Sequence, residues 1–156
     1  MSMENVSLVR GKHAISNIEN GKWIQGHYFD QPLLYGHNSQ IYLEDAEDEE
    51  CSDTGWVDID RRTIGKFTGL VEDIYFIDAD VEPKYIFEGD ILEIKYKNKL
   101  IRCEVAWEIC GFLLGSGEFE DSFIWLTEVI ESDGENYWAE GAKIIGNKID
   151  NPELLK

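Results

Sequence analysis

Positive charge is what this chain has least of. Fourteen Lys and Arg stand against thirty-two Asp and Glu in 156 residues, a formal charge of −18. Such an excess repels phosphate backbones and attracts basic protein surfaces, so direct nucleic-acid binding is disfavoured. Long apolar runs are missing too: none approaches the ~20 residues that span a bilayer, and Met1-Ser2-Met3-Glu4-Asn5-Val6 has no basic segment followed by an apolar stretch. The expectation is a soluble, cytoplasmic protein with no membrane partner. Cysteine is sparse. Cys51, Cys103 and Cys110 leave one thiol over in any intramolecular pairing and show no C-x-x-C spacing, which speaks against a disulfide framework and a zinc ribbon. Cys103 is expected as a buried thiol and Cys51 as an exposed one.

Reaction signatures are equally scarce. No P-loop, G-x-S-x-G, kinase or dinucleotide glycine pattern occurs, and the glycines from Gly111 to Gly117 lack the Lys-Ser/Thr ending that would cradle phosphate. His13, His27 and His37 are too far apart for a metal pair on one helix. Asp78, Asp80 and Glu82 sit at spacing two, which on an extended chain turns all three carboxylates to one side. The glycine and the terminal Glu of a calcium loop are absent, so a solvated face is the favoured reading. No catalytic residue, metal ligand or cofactor is assigned.

What the chain does have is a core and a strand pattern. Hydrophobic residues make up 43% and aromatics 12%, enough to offset the entropy of folding, and the length suits one domain over residues 1–156. Short runs rich in β-branched and aromatic residues mark strands at Val6–Arg10, Lys22–Phe29, Gln40–Leu43, Trp56–Ile59, Ile74–Ile77, Ile91–Tyr96, Leu100–Trp107, Phe123–Ile130 and Ala142–Ile149. Leu92, Ile94 and Tyr96 alternate with charged residues, as do Ile101, Cys103 and Val105, and Trp107 continues the same face. The pattern predicts a hairpin from Ile91 to Trp107 turning at Asn98-Lys99. Gly111–Gly115 and Phe123–Leu126 extend it into a meander that a small, SH3-like barrel would close. The fold class is therefore mainly β, with helix limited to a turn or two near Asp60–Lys66. Residues 150–156 form a C-terminal tail after Pro152 ends the last strand.

The stretch from Glu44 to Asp60 carries nine acids and no base, which reads as an acidic surface loop over about 44–55. Trp23, Tyr28, Tyr35 and Tyr42 lie in a segment that mixes aromatics with Gly, His, Asn and Gln, the composition of a contact surface. With Glu47, Asp48, Glu49 and Glu50 they are the candidate binding residues. Trp56, Trp107, Trp125 and Trp138 are expected mainly in the core.

Several blocks then stand out by their order: Val9-Arg10-Gly11-Lys12, Gly21-Lys22-Trp23-Ile24-Gln25-Gly26, Thr63-Ile64-Gly65-Lys66-Phe67-Thr68-Gly69-Leu70, Phe87-Glu88-Gly89-Asp90-Ile91, and Ile145-Gly146-Asn147 through Asn151-Pro152-Glu153-Leu154-Leu155. Together they resemble the YopX family of small phage and prophage proteins. The resemblance implies a mainly β fold, a phage or prophage origin and self-association; it implies no reaction, cofactor or catalytic residue. The glycines of these blocks read as architecture. Gly65 and Gly69 suit turns with positive φ around a buried Phe67, and Glu88-Gly89-Asp90 suits a tight turn in which Asp90 accepts from nearby backbone N–H groups.

The resulting expectation is a non-enzymatic binding or assembly module whose acidic surface engages a host or phage protein, itself assembling as a homo-oligomer. One alternative is a metal-assisted hydrolase using Asp78, Asp80 or Asp90, which requires those carboxylates to converge in a cleft. The other is a DNA mimic that occupies a host nucleic-acid-binding protein.

Overall fold

The computed structural model describes residues 8–12, 22–33, 36–42 and 56–156. Among them the protein is mainly β, as the alternation requires, and its only helical segments are short 3-10 turns. None of the described helical segments is long and apolar enough to cross a membrane. The chain divides into two compact units, Met1–Phe67 and Thr68–Lys156.

In the first unit, β1 (Leu8–Lys12), β2 (Trp23–Leu33), β3 (Gly36–Tyr42) and β4 (Trp56–Ile59) pair in sequence order, each antiparallel to the next. The start of β5 (Gly65–Val71) joins the other side of β1, where Gly65 faces Arg10 and Lys66 faces Val9. The turn predicted near Asp60–Lys66 is a 3-10 turn over Arg61–Thr63, capped by Asp60. Thr63 fastens it to β1: its hydroxyl accepts the Lys12 N–H at 2.7 Å and donates to the Asp60 carbonyl at 2.7 Å. Gly11 is required beside it, because a Cβ there would collide with Ile59 Cγ2.

In the second unit, β7 (Asp90–Tyr96), β8 (Lys99–Glu108), β9 (Gly111–Gly115), β10 (Phe123–Trp125) and β13 (Ala142–Asn147) form a five-stranded antiparallel sheet in the order β10-β9-β8-β7-β13. The hairpin is present with Ile91 opposite Glu104 and Tyr96 opposite Lys99. Its turn falls at Lys97-Asn98, both with positive φ, one residue earlier than the sequence suggested. Alternation holds along β8, where Ile101, Cys103 and Val105 are buried. They join Leu92, Ile94, Leu114 and Phe119 in the core. The sheet is open, with β10 and β13 at its edges, so the expected barrel does not close among the described residues.

The remaining elements correct the sequence reading. Residues 65–71 are strand rather than turns. Gly69 does have a positive φ of 86°, but Gly65 lies in a β-ladder and Phe67 is only half-buried. Thr68 ties β5 to β6 (Tyr85–Phe87), its hydroxyl donating to the Ile86 carbonyl at 2.8 Å. Ile74–Ile77 is not a strand: Asp73 turns the chain, its carboxylate accepting the Tyr75 N–H at 2.8 Å and its carbonyl the Phe76 N–H at 3.0 Å. A local side-chain acceptor thus wins over β propensity there. The run Phe123–Ile130 breaks after Trp125 into a 3-10 turn, Leu126–Val129, because Glu128 reaches back to the Trp125 N–H at 2.8 Å. β11 (Ile130–Ser132) and β12 (Tyr137–Ala139) follow as a short antiparallel pair, and Trp138 of β12 lies parallel to Val71 of β5.

Candidate binding cleft

The buried carboxylates of the second unit serve the backbone. Glu72 accepts the Ile144 N–H at 2.8 Å and the Lys84 N–H at 3.1 Å. Asp73 accepts the Gly141 N–H at 2.6 Å across 68 residues. Asp90 accepts the Phe87 N–H at 2.8 Å, the turn role expected for it. Each is under a tenth exposed, and accepting backbone donors is what makes such burial tolerable. Asp78, Asp80 and Glu82 are exposed instead. The fold therefore does not bring Asp78 and Asp80 into a cleft with Asp90, and no group of three His, Cys, Asp or Glu among the described residues is placed to hold a metal ion.

Of the candidate binding residues, Trp23 is half-buried and already occupied by its own strand neighbours. The Arg10 guanidinium carbon lies 4.7 Å and Lys12 Nζ 5.4 Å from its ring centroid. Register explains this: Lys12 stands directly opposite Trp23, and Arg10 is two residues along on the same face. Tyr28 stands opposite Ile41, and Tyr42 opposite His27 and Trp56. Tyr35, Glu47, Asp48, Glu49 and Glu50, the acidic loop 44–55 and Cys51 lie outside the described residues. Cys103 is fully buried, and burial pushes its thiol up to about 12. Cys110 is free and exposed.

A cleft of about 500 Å³ opens in the second unit between the β7–β8 turn and β10. One wall carries Tyr96, Lys97 and Lys99. Opposite are Phe123 and Trp125, successive same-face residues of β10 whose rings meet edge to face at 5.5 Å. Each is 38% exposed, while Ile124 between them turns into the core at 8%. A loop from Ser116 to Ser122 supplies the rim. Phe119 plugs it from beneath, 5% exposed and edge to face with Tyr96 at 5.5 Å, which leaves Glu118, Glu120 and Asp121 pointing to solvent. Two backbone bonds close the loop, Ser116 N–H to the Ser122 carbonyl at 2.9 Å and Ser122 N–H to the Phe119 carbonyl at 3.0 Å. Among the described residues neither Glu120 nor Asp121 has an ion-pair partner.

The cleft combines exposed rings with carboxylates, Glu118, Glu120, Asp121 and Glu128, that outnumber Lys97 and Lys99 in its lining, which suits binding of a cationic, partly apolar group. Sequence reasoning placed Trp125 in the core. The signal for exposure was the aromatic Phe119 flanked by acids inside a loop, followed by Phe-Ile-Trp alternation.

The glycine-rich blocks also have a geometry. Asn147 accepts the Ile149 and Asp150 N–H groups at 3.1 and 2.9 Å, and its carbonyl accepts the Asn151 N–H at 2.8 Å. Gly146 leaves the space that Asn151 Oδ1 fills, since a Cβ there would come within 2.6 Å of it. The family model described as YopX protein matches residues 17–156. This chain belongs to the YopX family. The match contains the TIGKFTGL, FEGDI and IGN…NPELL blocks of the chain, while Val9-Arg10-Gly11-Lys12 precedes it. No curated protein matches the chain.

Proposed function

We propose that this member of the YopX family is phage- or prophage-encoded and acts in the bacterial cytoplasm as a non-enzymatic binding or assembly module. Its acidic surface engages a basic protein partner of host or phage, and it assembles with itself as a homo-oligomer. The observation that carries this reading is the cleft, where half-exposed Phe123 and Trp125 adjoin the unpaired carboxylates of Glu120 and Asp121. Aromatic anchors ringed by charge are what protein interfaces use. The charge of −18 supports it by drawing basic proteins at long range.

The test is retention of bacterial lysate proteins on the immobilised chain at about 50 mM and about 500 mM salt, concentrations that bracket strong and weak screening. A basic protein held at low salt and released at high salt is expected. Retention of none, or retention indifferent to salt, overturns the reading. Competition by duplex DNA for the retained protein would identify the DNA-mimic form of the same activity. Size-exclusion with light scattering tests the homo-oligomer.

A further inference from the structure

Lys97 demonstrates how the aromatic side of the cleft receives a cation. Its ammonium lies 5.3 Å from the Tyr96 ring centroid, inside the ~6 Å over which a ring quadrupole attracts positive charge. Trp125 and Phe123 across the cleft are open to solvent by comparison. A cation entering there meets the Phe123 and Trp125 rings beside the rim carboxylates Glu118, Glu120 and Asp121, in a lining that also carries Lys97 and Lys99.

The parts that would meet it are held in place. Trp125 lies over Gly111 within van der Waals range: a Cβ there would be 3.6 Å from Trp125 Cζ3. Its backbone is fixed by the Glu128 carboxylate at 2.8 Å. Glu120 and Asp121 ride on the loop that Phe119 plugs. Sites whose groups are already ordered lose less entropy when a partner arrives. Among cations, the guanidinium fits best: it is planar, weakly hydrated, stacks on indole faces and offers several N–H donors to carboxylates at once.

We propose that the cleft is the docking site for an arginine side chain on an extended basic segment of the protein partner, with the guanidinium against Trp125 and its charge answered by Glu120 and Asp121. This rests on the binding-module reading above. The volume of about 500 Å³ falls within the ~300–1,000 Å³ of ordinary ligand pockets.

The probe is a short acetylated, amidated peptide of alternating arginine and glycine, titrated into the full chain while the indole N–H signals are followed by NMR. Its control carries citrulline, which keeps the planar shape and removes the charge. The Trp125 signal, assigned through Trp125→Phe, is expected to move. Affinity should fall roughly three- to thirty-fold for the citrulline peptide and for Trp125→Ala, the span of cation–ring attraction. The double substitution Glu120→Gln with Asp121→Asn, both exposed, should weaken binding without touching the core, and it carries the test if Trp125→Ala fails to fold. Equal binding of the citrulline peptide, or unchanged affinity in the folded variants, overturns the proposal. If those variants still retain the lysate partner at low salt, the cleft assignment fails while the acidic-surface reading stands. If the unaltered chain retains nothing, the reading beneath it fails.

Discussion

Gly89 and Lys148 lie against each other: the Lys148 N–H donates to the Gly89 carbonyl at 2.8 Å, and a Cβ built at Gly89 would lie 3.4 Å from Lys148 Cε. Gly89 also donates its N–H to the Val105 carbonyl at 2.8 Å, and Lys148 Nζ stands 3.4 Å from Glu104. The FEGDI block and the start of the C-terminal block thus meet on β8. Two of the blocks that mark the family in sequence form a joint in the second unit.

Gly89 should resist substitution more for its backbone than for its space. Its φ of 89° is denied to most side chains. Gly89→Ala is expected to cost about 1–2 kcal/mol in urea unfolding. Gly69→Ala, at φ 86° with nothing within 4 Å of the added Cβ, should lose a similar amount, which would show that conformation and not crowding sets the penalty.

Asn147 closes the C-terminal turn through two accepted backbone bonds. Asn147→Ala should destabilise by roughly 1–2 kcal/mol and speed amide exchange at Ile149 and Asp150. Unchanged exchange there would remove Asn147 from this role.

Ile109 sits at the β8–β9 turn with φ 48° and is 96% exposed, an unfavourable conformation for a β-branched side chain. Ile109→Gly is therefore expected to stabilise the protein by about 1 kcal/mol or more, read as a higher urea midpoint at constant slope.

The two described thiols should differ in reactivity. With Cys51 replaced by Ser, alkylation near pH 8 should modify Cys110 in the native protein and Cys103 only after unfolding, since burial holds the Cys103 thiol at about 12. Native modification of Cys103 would contradict its place in the core.

Asp60 predicts a pH effect. Its side-chain bonds to Arg62, at 2.8 and 3.1 Å, hold its pKa below the ordinary carboxylate value. A carboxylate that binds its proton less readily folded than unfolded contributes fully above the unfolded value of about 3.9 and loses that contribution as pH falls through the lower folded value. Arg62 is largely exposed, so the effect is small. Asp60→Asn keeps an acceptor for the Arg62 N–H and removes the charge. Its stability deficit near pH 7 should shrink near pH 2.

Period-two alternation was legible where one strand face is buried: β7 and β8 follow it, and β4 ends where the pattern does. Turn chemistry was legible at Gly89 and Asp90. The misread elements share a cause. Ile74–Ile77 has strand composition, but the acceptor that bends it, Asp73, takes its second bond from Gly141, which lies 68 residues away. Leu126–Val129 continues an apolar run, but Glu128 folds back on Trp125. In the cleft, Trp125 was expected in the core and is 38% exposed, because its place is set by Gly111 and by the loop that Phe119 plugs, which are separate segments.

The chain by itself determined a β protein with strong negative charge and a recognisable family, because alternation, composition and glycine spacing are local properties that need no partner to be read. Only the tertiary structure decided which carboxylates bind backbone and which face solvent, and which rings are core and which line a cleft. Those outcomes depend on hydrogen bonds and contacts between residues far apart in sequence, where no local pattern carries the information.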